Sequence, residues 1–294
     1  MSIPVFRFAP SPNGHLHIGH ALSALLNYEA ARQMGGRFLL RIEDIDQTRC
    51  TPELEADMLE DLEWLGLEWE TPVLRQSDRF DAYRAGLQKL SAFGILYRSV
   101  LTRSEIKQFV ADCVEEGNDW PKDPDGVPVS PNDGMVLSDD ERIERLSSGA
   151  SYAVRVDMVR AMRYLKSSLT WQEAGSSLDA LAEAPHPVSC DPSQWGDVVL
   201  ARKETPTSYH LSVVLDDAYQ GVTDILRGKD LYHATSLHRL LQQFLGLPSP
   251  VYRHHDLVLG EDGKKLSKST RSTSLRSLRE AGSTPADIRQ LVGL

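Results

Sequence analysis

Residues 7–20 read RFAPSPNGHLHIGH, and far downstream residues 263–270 read GKKLSKST. The first segment passes from an apolar stretch through a Pro- and Gly-rich turn into a helix predicted to begin near His17. Such a turn brings backbone N–H groups, with the imidazoles of His17 and His20, to a helix N-terminus. There the macrodipole and the unpaired donors favour phosphate. The second segment offers Lys264, Lys265 and Lys268 on a loop able to close over the same phosphates. Each has a plain reading on its own, a solvated turn for the histidines and an exposed loop for the lysines. Taken together, in this order, they describe chemistry at a polyphosphate.

Elements that could hold these groups follow from periodicity. Residues 3–9 and 37–42 are short apolar runs suited to buried parallel strands, joined by a helical pattern over 19–34 that ends at Gly35 and Gly36. This is a βαβ unit, and its phosphate turn lies where the first strand ends, as ligands do in doubly wound sheets. Thr51, Pro52 and Glu53 open the next helix as N-cap, first position and acidic first turn. Leu54, Met58, Leu62 and Leu65 follow at core spacing, and residues 79–96 predict a further helix ending near Gly94. Residues 119–134 are rich in Pro, Asp and Gly and read as a loop or linker. Residues 151–158 alternate as a half-buried strand. The sheet is expected to resume with 195–202 and 209–219, a helix to cover 235–247, and two short helices to end the sequence.

Composition sets the class. A chain of 294 residues can bury a substantial core in one large or two smaller domains. No apolar run is long enough for a membrane span, and the first residues lack a basic and then apolar leader, so a cytoplasmic protein is expected. Three scattered cysteines, Cys50, Cys113 and Cys190, argue against a disulfide framework. The net charge of −10 provides no overall basic face, so any nucleic acid must be gripped through a local patch.

The paired segments resemble the HIGH and KMSKS signatures of class I aminoacyl-tRNA synthetases. HIGH is present letter for letter at His17, Ile18, Gly19 and His20, and KLSKS differs by Leu266 for Met. RFLLRIEDIDQTR at 37–49, DLEWLGLEWE at 61–70, QSDRFDAYR at 76–84 and VTDILRGKD at 222–230 resemble blocks of the glutamate-specific branch. The resemblance implies an α/β fold: a Rossmann-like doubly wound parallel sheet with an inserted smaller α/β domain and a short helical C-terminus. It divides the chain into a split catalytic domain at 1–98 and 191–260, an inserted acceptor-type domain at 99–190, and a KLSKS loop with short helical segment at 261–294.

The same resemblance implies roles. His17, His20 and Lys268 would be catalytic, stabilising charge on ATP phosphates during activation of L-glutamate to its adenylate. Pro10, Gly19 and Lys265 would join them in binding ATP, brought with Mg2+. Glutamate carries two carboxylates and one ammonium, so its pocket needs cations and an acid. Arg7 and Arg227 match the family's carboxylate-binding arginines, whose planar forks suit bidentate contacts. Glu43 matches the ammonium partner and Tyr209 a pocket tyrosine, with Ala9 and Ser11 beside them. No protein nucleophile is required, so Ser11, Ser267 and Cys50 need no covalent role.

Glutamyl-tRNA synthetases continue past KMSKS with a helical anticodon-binding region, whereas this sequence stops shortly after Lys268. That resembles the truncated branch, the glutamyl-Q tRNA(Asp) synthetases, which attach glutamate to queuosine at the wobble position of tRNA-Asp. Val213 stands where discriminating glutamyl enzymes place a polar Asn. A monomer binding tRNA-Asp that carries queuosine is expected, with neither DNA nor membrane as partner. Two alternatives are a short enzyme charging the acceptor end of tRNA-Glu, and a non-catalytic synthetase-like module. Some members hold zinc in the insert through a C-x-C pair. Here Ser99 and Leu101 occupy those places and Cys113 stands alone, so no zinc is expected.

Lys268→Ala should lower turnover on the order of 10²-fold while barely changing glutamate affinity, the effect of losing one electrostatic donor to the transition state. Steady-state pyrophosphate exchange checks it, and an unchanged rate would show that the lysine loop does not act on ATP.

Overall fold

The computed structural model describes residues 3–258 and 274–294. Lys264, Lys265 and Lys268, and the site roles expected of them, lie outside the described residues. Strands β1 (Val5–Phe8) and β2 (Arg37–Ile42) pair in parallel, with Arg7 beside Leu39. The helix Ile18–Gln33 connects them. Gly35 ends the connection at φ 60°, a conformation that favours glycine. Gly36 lies against the backbone of Pro4, where a Cβ would stand 2.5 Å from the carbonyl oxygen. Strand β3 (Leu74–Arg75) extends the sheet beyond β2, and the intervening helix Pro52–Trp64 is capped by the Thr51 side chain.

A small antiparallel sheet follows. It contains β4 (Leu96–Ser99) and β5 (Ala153–Val156), with β6 (Thr170–Glu173) and β7 (His186–Ser189) passing elsewhere before β8 (Val199–Arg202) completes it in the order β4-β5-β8. The second half of the parallel sheet is β9 (Asp224–Gly228) and β10 (Val251–His255), on which β6 and β7 add in the order β7-β6-β10-β9. Strand β1 runs beside the start of β9. Val5 N–H donates to Thr223 Oγ1 at 2.8 Å, and Thr223 N–H donates to the Val5 carbonyl at 3.0 Å. From β1 the chain moves outward to β2 and later returns on the other side to β9, so a topological switch point opens at the C-terminal end of β1.

Two readings of the sequence are corrected. Residues 209–219 form the helix Tyr209–Tyr219, not a strand. It buries Leu211, Val213, Val214, Asp216 and Asp217 together, so its apolar run lacks a one-sided stripe and cannot be told from a core strand by period. The stretch 195–202 does not resume the parallel sheet either, because β8 pairs antiparallel with β5. The Pro- and Asp-rich loop at 119–134 is tied down: Trp120 donates to the Val129 carbonyl at 2.7 Å, and Asp133 accepts from Ser99 Oγ at 2.6 Å. No helix among the described residues is long and apolar enough to cross a membrane.

Core packing follows the period of the strands. Phe6, Phe8, Leu40 and Ile42 pack with Leu22, Leu25 and Leu26 of the first helix. The alternate positions Arg7, Arg41 and Glu43 therefore share the opposite face. Gly36→Ala should destabilise the protein by about 1–3 kcal/mol, because backbone rather than a movable side chain blocks the new methyl. A denaturant midpoint equal to that of the parent chain would contradict this close approach.

Candidate functional site

The switch point holds a cavity of about 470 Å³. Its walls include Arg7, Ala9, Pro10, Ser11, His17, Gly19, His20, Glu43, Tyr209 and Arg227, so every expected site residue within the described part lies in one place. Val213 lines it as well.

At one end the first helix begins. His17 is its N-cap, with Nδ1 accepting from Gly19 N–H at 3.1 Å, while His20 Nδ1 accepts from His17 N–H at 3.1 Å. Both rings use Nδ1 as acceptor, so in the neutral form each carries its proton on Nε2. The rings lie 3.8 Å apart, centre to centre. A side chain at position 19 would crowd the His17 ring, with a Cβ 3.1 Å from Cε1. Glycine there keeps the two imidazoles together at the helix N-terminus.

A buried ion network lies at the other end. Arg7 donates from Nε and Nη2 to the two carboxylate oxygens of Asp217 at 3.0 and 3.2 Å. Arg41, fully buried, donates to Asp217 at 2.7 Å and to Glu43 at 3.1 Å. Burial would raise the Asp217 carboxyl, but Arg7 and Arg41 together hold it below its ordinary value. Glu43 goes the other way: burial raises its pKa despite Arg41. The helix Tyr209–Tyr219 supplies Tyr209, Val213 and Asp217 at successive four-residue intervals along one face. Its other side is fixed by Asp216, which accepts from Gln76, Arg79 and Tyr83 at 2.6–2.9 Å.

Arg227, 5% exposed, is held differently. It donates to His254 Nε2 at 3.2 Å, His238 Nδ1 at 3.2 Å, the Leu231 carbonyl at 3.1 Å and Thr235 Oγ1 at 2.8 Å. None of these is a carboxylate, and Arg227 forms no ion pair among the described residues. Burial, and then Arg227 itself, lowers His238 well below the ordinary histidine range and His210 to about 4. His254 and His255 are lowered as well, chiefly by burial.

Sequence reasoning missed Arg41, Asp217, His238 and His254. Arg41 could have been found, since it precedes Glu43 by two residues in RIEDID and must share its strand face. Asp217 was hidden by reading its helix as a strand. Nothing in HRLLQQ or YRHHD marks the two histidines as neighbours of Arg227. Among the described residues no group of three or more His, Cys, Asp or Glu side chains is placed to hold a metal.

The model of the family "tRNA synthetases class I (E and Q), catalytic domain" matches residues 5–294. The chain is 46% identical to a glutamyl-Q tRNA(Asp) synthetase of Rhodobacter capsulatus, over 99% of this chain and 100% of that protein. It is 36% identical to one of Symbiobacterium thermophilum, over 96% of this chain and 83% of the relative. Among solved structures, the glutamate-tRNA synthetase of Elizabethkingia anophelis superposes with a TM-score of 0.76 at 25% identity. That alignment covers 99% of this chain and 61% of the longer one.

The buried histidines predict an acid-labile fold. An unfolded chain takes up protons on His210, His238, His254 and His255 near pH 6.5, roughly, whereas the folded chain resists them to lower pH. Their contribution is fully present above that pH and is lost as pH falls toward about 4, the value for His210. Asp61, raised by burial to about 6, and Glu43, also raised by burial, act in the opposite sense but are two groups against four. Thermal melts should show a lower midpoint at pH 5 than at pH 7.5. A midpoint that holds or rises on acidification would mean these histidines are not buried neutral.

Proposed function

The chain belongs to the class I tRNA synthetases of the E and Q type, and from that premise we propose that it activates L-glutamate with ATP and passes it to queuosine at the wobble position of tRNA-Asp. The observation that carries the amino-acid choice is the setting of Arg227. It is buried, lines the cavity and forms no ion pair among the described residues, whereas Arg7 on the same wall is held by Asp217. Glutamate brings a second carboxylate for that guanidinium and an ammonium for Glu43. Glutamine is neutral and would leave a buried guanidinium without an anion, at a cost of roughly a few kcal/mol.

In this reading Glu43 receives the ammonium, Tyr209 lines the side-chain pocket, and Arg227 meets a carboxylate with its charge and the one Nη1–H that its four protein contacts leave. Ala9, Pro10 and Ser11 form the floor between amino acid and nucleotide. His17 and His20 donate from Nε2 to ATP oxygens as charge builds there. A glutamate carboxylate oxygen attacks the α-phosphorus, and pyrophosphate leaves with the electrons of the broken P–O bond. Lys268 and Lys265 neutralise that leaving group. Mg2+ arrives with the ATP. A hydroxyl of the queuosine diol then attacks the adenylate carbonyl and releases AMP. Activation needs positioning and electrostatics only, and no step calls on tRNA before the adenylate forms.

The match to the Rhodobacter capsulatus relative over 100% of its length favours the queuosine acceptor. Relatives named glutamate--tRNA ligase, such as that of Coprothermobacter proteolyticus at 33% identity and 57% coverage of the relative, favour instead the acceptor end of tRNA-Glu. One pair of assays separates the two readings. Glutamate should drive pyrophosphate exchange into ATP with no tRNA present, and labelled glutamate should enter tRNA from cells that make queuosine. The same tRNA from cells without queuosine should stay unlabelled. Equal labelling of both pools would overturn the queuosine assignment, and exchange that requires tRNA-Glu would favour the other reading.

A further inference from the structure

Arg227 can only donate hydrogen bonds, and this fixes the protonation of everything around it. His254 Nε2 receives the Arg227 Nε–H at 3.2 Å and also faces Thr235 Oγ1 at 3.3 Å. Its proton must therefore sit on Nδ1, which lies 2.9 and 3.0 Å from the two carboxylate oxygens of Glu173. Glu173 is itself steadied by Trp171 Nε1–H at 2.8 Å. On the other side His238 Nδ1 receives the Arg227 Nη1–H, so the His238 proton sits on Nε2 and donates to His210 Nδ1 at 3.2 Å. The chain reads Glu173, His254, Arg227, His238, His210, with every donor pointing outward from Arg227 on both sides. It spans β6, β10, β9 and two helices, and only Arg227 among its members lines the cavity.

We infer that His254, oriented by Glu173, and His238 are positioning residues that hold Arg227 with its remaining Nη1–H toward the amino-acid carboxylate, and that protonating His254 releases it. The inference rests on the reading of Arg227 as a carboxylate ligand. A second proton on His254 would have to go to Nε2, placing N–H against the Arg227 N–H and one cation against another. His254 is the member poised to take it. Glu173 faces its Nδ1 and favours the imidazolium, Arg227 from β9 and His255 on its own strand oppose it, and Tyr232 and Tyr252 pack on the ring as neutral phenols. His238 faces Arg227, His210, His254 and, at longer range, Arg7, all disfavouring charge.

The test is the pH dependence of the glutamate KM in pyrophosphate exchange between pH 7.5 and 5.5, with the ATP KM as a control for folding. For the unaltered protein the glutamate KM should climb on acidification while the ATP KM moves little. His254→Gln keeps an acceptor that cannot titrate, so its KM should match the parent at pH 7.5 and stay flat at pH 5.5. His254→Leu removes the acceptor and should raise the glutamate KM about tenfold or more at every pH. An acid rise that persists in His254→Gln, or a parent KM that does not rise, would overturn the inference. Arg227→Gln separates it from the function it rests on. If that variant leaves the glutamate KM unchanged, the pocket reading itself fails. If it raises KM while His254→Leu does not, only the positioning role fails.

Discussion

The site depends on one buried guanidinium, that of Arg227. A guanidinium removed from water is tolerated only when paired or well hydrogen-bonded. Arg41 has two carboxylates and Arg7 shares one of them, whereas among the described residues Arg227 has neutral acceptors only. The fold thus keeps beside an open cavity a guanidinium that an anionic guest would pair. The specificity proposed here follows from that group. A pocket that merely fitted the glutamate chain would discriminate poorly, while one that needs a negative charge rejects neutral analogues.

Three pieces of regular geometry assemble this arrangement. Period-two alternation on β1 and β2 puts Arg7, Arg41 and Glu43 on the face away from the first helix. Four-residue steps on the helix Tyr209–Tyr219 carry Asp217 to the same face and Tyr209 to the cavity wall. Parallel register between β9 and β10 sets Arg227 beside His254. The C-terminal helices join the opposite end, where Leu275 N–H donates to the Leu16 carbonyl at 2.8 Å and Arg276 reaches Asp57 at 2.7 Å. The C-terminal segment from Ser274 is thereby fastened to the turn that carries His17.

Local signals made much of this legible in the sequence. The Pro- and Gly-rich turn before His17, the βαβ unit, the Thr51 cap and the end of the first helix at Gly35 each follow from a few adjacent residues. What stayed hidden depends on contacts far apart in sequence. The helix Tyr209–Tyr219 is buried on several sides, so its pattern has no polar stripe to betray its period. β8 chooses β5 as partner, and β6 chooses β10, by pairings that no turn between neighbours specifies. The histidines around Arg227 come from three elements and are ordinary residues until the fold brings them together.

The claim that the Arg227 guanidinium selects the amino acid by its need for an anion is tested most directly by calorimetric titration of the protein with glutamate and, separately, with glutamine. Glutamate should bind saturably, and glutamine should bind at least about a hundredfold more weakly, the scale expected when a buried polar site loses its partner. Equal affinities for the two would contradict the account, because they differ by little more than the charge that the pocket is held to require.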